Sequence, residues 1–237
     1  MLVAVRLVLS FLWLLICAVC GTLYSLVNFR SVNNLHPVAQ IFGRYCLPIM
    51  GVKLERRGYE KLLRPGPYVI IANHQHNLDV PLYARMVPPR TITIGKREVI
   101  WVPAFGLIFY STGNLFINRK DLEQAKKTYD KARDIMVSQD AHIWLFPEGT
   151  RRYGLGLGEF KKGPFHLAVD TGIPLQPIVT TSLKGTVDLS RWKAGNVIIE
   201  VLQPIETKGR TVDEVRLESH AAMKAAIARL DAELATR

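Results

Sequence analysis

A histidine and an aspartate capable of acid–base chemistry stand close together in Ala72-Asn73-His74-Gln75-His76-Asn77-Leu78-Asp79, directly after a short apolar run. His74 and Asp79 are five positions apart. A continuous helix would place them on different faces, and a strand would point them to opposite sides. They meet only where the chain turns between them, as in a loop that enters a helix near Asp79. There the carboxylate can accept a hydrogen bond from one imidazole nitrogen and leave the other free as a general base. The plainer alternative makes Asp79 a helix cap and His74 a surface loop residue. No serine or cysteine nucleophile lies in this stretch.

Phe146-Pro147-Glu148-Gly149-Thr150-Arg151 also follows an apolar run. Gly149 permits close backbone approach to a ligand. Thr150 and neighbouring N–H groups can bond phosphate oxygens, and Arg151 carries the planar fork that suits them. A turn with a surface salt bridge is the competing interpretation. Gly113 to Arg119 reads as a short strand that delivers Arg119 to its end. Gly172 to Ile178 places Pro174 and Pro177 around the start of a further apolar strand and carries no reactive group. Lys96 with Arg97, and Lys161 with Lys162, are basic pairs that could touch an anionic headgroup or simply face solvent.

These groups need a scaffold. Strand signals occur at Tyr68–Ala72, Thr91–Ile94, Asn114–Ile117, Ile143–Phe146, Leu175–Thr180 and Val197–Leu202. Helical signals occur at Asp121–Ser138, with Leu122, Ala125, Tyr129, Ala132 and Met136 on one face, and at Thr211–Leu234. Strands alternating with helices predict a layered α/β domain with a largely parallel central sheet flanked by helices, the chemistry collecting on loops at strand ends.

Ahead of this domain, Leu7 to Val27 contains no charged residue and is long enough to cross a hydrocarbon core. It is too long for a signal peptide and reads as an uncleaved anchor. A second stretch, Val38 to Val52, is interrupted by Arg44 and Pro48 and reads as an amphipathic interfacial helix, leaving a true span or a re-entrant hairpin both open. The expected division is residues 1–52 as anchor and 53–237 as catalytic domain. Arg30, Arg44 and Lys53 follow the anchor against Arg6 before it, which predicts an inner (cytoplasmic) membrane protein with its catalytic part on the cytoplasmic side. The chain has 237 residues and a formal net charge of +11, a balance that suits anionic lipids or phosphorylated substrates. Cys17, Cys20 and Cys46, an odd count with two inside the apolar run, read as small apolar residues, not a disulfide framework.

Taken in order, the four blocks resemble the glycerolipid acyltransferase family, in particular its bacterial 1-acylglycerol-3-phosphate acyltransferases. His74 and Asp79 match the family's histidine–four residues–aspartate motif, Gly113–Arg119 its second block, Phe146–Arg151 its third residue for residue, and Gly172–Ile178 its proline-bearing fourth. The resemblance implies that His74 deprotonates the acceptor hydroxyl, that Asp79 orients it, and that attack falls directly on an acyl thioester without an acyl-enzyme. It implies that Lys96, Arg119, Glu148, Gly149, Thr150 and Arg151 position the glycerol phosphate, and that the fourth block lines a substrate channel. The implied partners are the phospholipid bilayer, lysophosphatidic acid and an acyl-carrier protein or coenzyme A thioester. No cofactor, metal or nucleic acid is implied. Glycerol-3-phosphate or another lysophospholipid is an alternative acceptor. The sequence departs from the family at His76-Asn77, where serine and a large apolar or aromatic residue are more usual, and at Asn118, where aspartate is. A metal-dependent hydrolase using His74, His76 and Asp79 is a distant rival, since His142, His166 and His220 stand alone. A non-catalytic membrane- or nucleic-acid-binding protein is another, but aromatic and basic residues do not interleave as a nucleic-acid surface requires.

Overall fold

The computed structural model describes residues 1–237. Seven strands form one sheet in the order β1 (Val52–Arg57), β7 (Gly195–Val201), β6 (Leu175–Thr180), β2 (Val69–Ala72), β5 (His142–Leu145), β3 (Thr91–Lys96), β4 (Leu115–Ile117). The last five are mutually parallel; β7 is antiparallel to β6 and parallel to β1. The C-terminal ends of β6, β2, β5, β3 and β4 therefore share one edge of the sheet. That edge also receives the starts of β1 and β7. The central strands β2, β5 and β6 are buried at every position, as expected where helices cover both faces.

One face carries α5 (Leu122–Gln139), α6 (Gly163–Thr171) and α7 (Val212–Ala235), whose Met136, Phe165 and Met223 join the core there. Two helices begin as their sequences specify. The Asp121 carboxylate accepts the Gln124 N–H at 3.0 Å, and Thr211 with Glu214 forms a reciprocal capping box. Of the five residues expected on the inner face of α5, Ala132 and Met136 are buried and Ala125 and Tyr129 pack beside them. Leu122, the first residue of the helix, is exposed.

The other face carries α2 (Leu35–Met50) and α3 (Asp79–Ala84), and α2 contributes Cys46 and Leu47 to the same core as Ile70 and Trp144. Against α2 and α4 (Phe105–Ser111) lies α1 (Leu2–Val27), which begins five residues earlier than the uncharged run. It extends past Arg6 because that guanidinium is hydrogen-bonded within the protein. Arg6 is buried and donates to the carbonyls of Leu189, Arg191 and Trp192 at 2.8, 2.7 and 2.6 Å. The buried stripe of α1 continues through Ser10, Cys17, Gly21 and Ser25, small residues that allow close approach. A Cβ at Gly21 would lie 2.9 Å from the Ile108 side chain. At the far end, Arg30 N donates to the Ser111 carbonyl at 3.2 Å, and the Arg30 guanidinium stacks over Tyr110. So α1 is fastened at both ends. Its 26 residues extend about 39 Å, against about 29 Å for the width of seven strands. Its opposite face exposes large apolar side chains, including Phe11, Ile16 and Leu23.

Elements that the sequence did not announce are β1, α4 and α6. β1 is an edge strand of mostly polar residues (Val52-Lys53-Leu54-Glu55-Arg56-Arg57), placed by pairing with β7 and not by its own pattern. α4 lies inside an apolar stretch too short to declare a period, and α6 starts at Gly163-Pro164 directly after a loop rich in glycine.

Candidate active site

β2 ends at Ala72, and the chain then turns under the control of side chains on both sides of His74. Asn73 is buried. Its Oδ1 accepts from Thr180 N at 2.9 Å and from the Tyr83 hydroxyl at 2.8 Å. Gln75 donates through Nε2 to the Thr181 carbonyl at 3.0 Å and accepts Leu183 N through Oε1 at 3.1 Å. These two amides staple the loop to the end of β6. Burial, with the Asp79 and Glu148 carboxylates beside it, lifts the Tyr83 phenol well above the ordinary range, so its hydroxyl remains a donor.

Asp79 opens α3 and folds back beneath the turn. Its Oδ2 accepts three hydrogen bonds, from His74 Nδ1 at 2.7 Å, Gln75 N at 2.6 Å and His76 N at 2.9 Å. The carboxylate thus sets the turn and the ring together, and the His74 tautomer with the proton on Nδ1 leaves Nε2 as a free acceptor. The Phe146 ring stacks on the imidazole with centroids 4.1 Å apart and planes 19° apart, fixing its orientation from the other side.

Glu148 lies behind this assembly. It is 4 % exposed; Oε1 accepts His74 N at 2.7 Å and Oε2 accepts Gly158 N at 2.8 Å. Burial raises its carboxyl above the ordinary glutamate range, opposed by those two N–H groups and then by electrostatic attraction to the neighbouring His74 and Arg152 side chains. Its geometry is that of a brace between two loops.

In front of His74 is a cavity of about 410 Å³. His74, Asp79, Lys96, Arg119, Gly149, Thr150 and Arg151 all line it, so seven of the eight residues selected from the sequence converge; Glu148 does not reach it. Arg119 donates to the Gly149 carbonyl. Gly149 has φ +74, and a Cβ there would come 3.2 Å from the Arg119 guanidinium. Lys96 is paired with Glu98 at 3.3 Å. Neither member of the second basic pair lines the cavity: the Lys161 Cγ would lie 3.8 Å from a Cβ at position 149, and Lys162 is held by Asp213 at 2.8 Å. The remainder of the cavity is apolar and is built by the N-terminal helices and α4, with Leu14 and Cys17, Val38 and Phe42, and Ile108 on its wall.

Two expectations change. Gly172–Ile178 does not line the cavity. Leu175 and Ile178 are fully buried, and the Pro174 carbonyl accepts Val69 N at 3.1 Å, so this stretch supports β2 from the side. His76, the departure from the family pattern, also lies outside the cavity; its Nδ1 accepts Leu78 N at 3.3 Å and its ring meets Tyr153 edge-on. With His76 turned away, no three His, Cys, Asp or Glu side chains converge as metal ligands. Asn73, Gln75, Tyr83, Phe146 and Thr180 were not selected from sequence. Asn73 and Gln75 were visible as polar residues at the exit of a buried strand, but their partners on β6 lie about a hundred residues away.

A family model described as "Acyltransferase" matches residues 53–181. The chain is 40 % identical over 225 residues to the 1-acyl-sn-glycerol-3-phosphate acyltransferase of Haemophilus influenzae, covering 94 % of this chain and 93 % of that one. It is 35 % identical to the Escherichia coli protein of the same name, covering 100 % of this chain and 98 % of that one. The crystal structure of the 1-acyl-sn-glycerophosphate (LPA) acyltransferase PlsC from Thermotoga maritima has the same fold, with a TM-score of 0.79, 20 % identity, and coverage of 98 % of this chain and 95 % of that one.

Proposed function

The chain belongs to the acyltransferase family, and from that premise we propose that it moves a fatty acyl group from an acyl thioester to the free 2-hydroxyl of 1-acylglycerol-3-phosphate, giving phosphatidic acid for phospholipid synthesis. The observation that carries this reading is the composition of one cavity, which is lined by the His74–Asp79 pair, by Lys96, Arg119 and Arg151, and by a majority of apolar side chains. Such a space suits a molecule with a phosphate at one end and hydrocarbon at the other.

The acceptor's phosphate is held by Arg119, Arg151, Lys96 and the Gly149–Thr150 backbone. Its hydroxyl gives its proton to His74 Nε2 while its oxygen attacks the thioester carbonyl. Asp79 accepts from Nδ1–H and stabilises the imidazolium that forms. The tetrahedral intermediate collapses with cleavage of the C–S bond, and the departing sulfur takes the proton from His74. The oxygen–carbon bond formed replaces the carbon–sulfur bond broken, and no residue is acylated. The thioester is carried by acyl-carrier protein or coenzyme A, and the chemistry requires no cofactor.

Residues 1–52 seat the enzyme in the bilayer, and 53–237 carry the reacting groups. A helix fastened at both ends to the body is poorly disposed to cross a membrane while the body stays outside. In this reading α1 lies along one leaflet with its apolar face in the acyl chains. In this reading the chain stays on the side where it is made, with its active site at the cytoplasmic face of the inner membrane, in keeping with the excess of basic residues after α1.

The test is acyl transfer by purified, detergent-solubilised protein to lysophosphatidic acid, glycerol-3-phosphate and a zwitterionic lysophospholipid, with each thioester donor, alongside His74→Ala. Phosphatidic acid from the wild type alone supports both the acceptor and the base. Transfer to a different acceptor keeps the mechanism and changes the substrate. No transfer to any acceptor refutes the reading.

A further inference from the structure

Three arginines from three elements converge beside the outer surface of α2 without an acidic partner. Arg44 lies on α2, Arg56 on β1 and Arg85 directly after α3. Arg56 donates to the Arg85 carbonyl at 3.0 Å. Arg85 donates through one nitrogen to the Gln40 carbonyl and side-chain oxygen of α2, at 3.2 and 2.8 Å. Gly43, adjacent to Arg44, lets the helices touch here: a Cβ would lie 2.6 Å from the Pro81 carbonyl oxygen and 2.9 Å from Arg85 Cγ.

Further nitrogens of Arg56 and Arg85, and the whole guanidinium of Arg44, make no hydrogen bond within the protein, and none of the three forms a salt bridge. Burial lowers the Arg85 pKa, and the positive charges of Arg56 and Arg44 lower it further, with no carboxylate acting against them. Gathering three cations at one point is unfavourable unless an anion sits among them. Guanidinium forks are suited to phosphate oxygens. The adjoining surface of α2 exposes Ile41 and Tyr45, each about half accessible, so hydrocarbon can lie against the helix next to the charges. None of the three arginines lines the catalytic cavity.

We propose that Arg44, Arg56 and Arg85 bind the phosphate of an anionic phospholipid headgroup in the leaflet that holds α1 and α2, at a site separate from the catalytic cavity. This rests on the membrane-seated reading above. A bound headgroup supplies the missing counter-charge and fixes the rotation of the enzyme about α2, so that the apolar wall of the cavity meets the acyl chains. Each arginine near an anionic surface contributes about fivefold in association.

The test is vesicle flotation of the full chain, with phosphatidylcholine alone or phosphatidylcholine mixed with phosphatidylglycerol. Arg44→Gln/Arg56→Gln removes two exposed cations from the site. Lys126→Gln/Lys131→Gln removes the same charge from α5 on the opposite face of the sheet. Acyl transfer in detergent confirms that each variant is folded. The wild type is expected to favour vesicles containing phosphatidylglycerol. The arginine variant should bind them about 25-fold less well and bind phosphatidylcholine unchanged, while the lysine variant keeps the preference. Equal losses in the two variants would show diffuse charge attraction and overturn the site, as would no loss in the arginine variant. Displacement from vesicles by millimolar inorganic phosphate would show a soluble-anion site and overturn the lipid assignment. Failure of the wild type to float with either vesicle would refute the membrane-seated reading itself, and the headgroup site with it.

Discussion

Replacing Glu148 with glutamine separates two roles for a residue in the middle of the third motif. The family resemblance implies contact with the glycerol phosphate, whereas both carboxylate oxygens are occupied by the backbone N–H groups of His74 and Gly158. Glutamine preserves the shape but offers only one acceptor oxygen, and its amide nitrogen must face one of those N–H groups. Losing a hydrogen bond to a charged group costs about 1.5–3 kcal/mol, and leaving a buried donor unpaired costs about 1–3 kcal/mol. Removing a buried charge returns part of this, so a net loss of about 3 kcal/mol is expected. For a chain of this size that is a fall of about 6–12 °C in midpoint. The shift of the His74 backbone should lower kcat by up to about 100-fold, since displacing a reacting group by about 1 Å has that scale of effect. The acceptor KM should change little. Thermal melting in detergent and steady-state acyl transfer measure both quantities. An unchanged midpoint together with a raised acceptor KM would refute the brace and return Glu148 to the substrate.

His74→Ala should lower acyl transfer by about 10²–10⁴-fold, the usual worth of a general base, and lower the melting midpoint by several degrees through the lost bond to Asp79. Arg151→Gln should raise the acceptor KM several-fold, whereas Lys162→Gln, which only breaks a surface pair with Asp213, should not; equal effects would remove Arg151 from the phosphate site. Burial holds the His142 ring at a pKa of about 4, and its Nδ1 accepts Tyr68 N–H at 3.0 Å, so it is neutral in the fold. The unfolded ring protonates near pH 6.5, so this stabilisation is complete above that pH and is lost as the pH falls towards 4. The loss is about 2 kcal/mol between pH 7.5 and 5. Comparing melts at both pH values with His142→Gln, which keeps an acceptor for Tyr68, should show a shallower acid slope in the variant. Acyl transfer should survive excess chelator; abolition reversed by one added metal would favour the hydrolase rival.

The contact between His74 and Asp79 was legible because their spacing, in a polar run at the exit of a buried strand, forces a turn that only a few side-chain arrangements can close. Arg119, Gly149 and Arg151 were legible for the same reason, as residues just past strand ends in a parallel sheet. The supports of His74 were not: Asn73 is paired with Thr180 and Glu148 with the His74 backbone, and such pairings depend on which strands become neighbours. The fourth block was misplaced because prolines beside a strand indicate stiffness without indicating what they stiffen. The N-terminal helix was recognised from hydropathy alone, which does not register that Ser10, Gly21 and Ser25 form a stripe of small residues facing the body. Nor does it register that the charge closing its N-terminal side is itself buried.

The contacts of Arg6 set an order of assembly. Its nearest partner, Leu189, is 183 residues further along the chain. At a translation rate of about 5–20 residues per second, roughly 10–40 s separate the appearance of α1 from that of its dock. β1 waits comparably long for β7, its only strand neighbour. During that interval an apolar helix and an unsatisfied guanidinium have no protein to receive them. Lipid acyl chains and headgroups can shelter both, so the bilayer would act as the first folding partner, with the body closing onto α1 afterwards. A ribosome translating this chain far from a membrane would hold an aggregation-prone segment for the whole of that time.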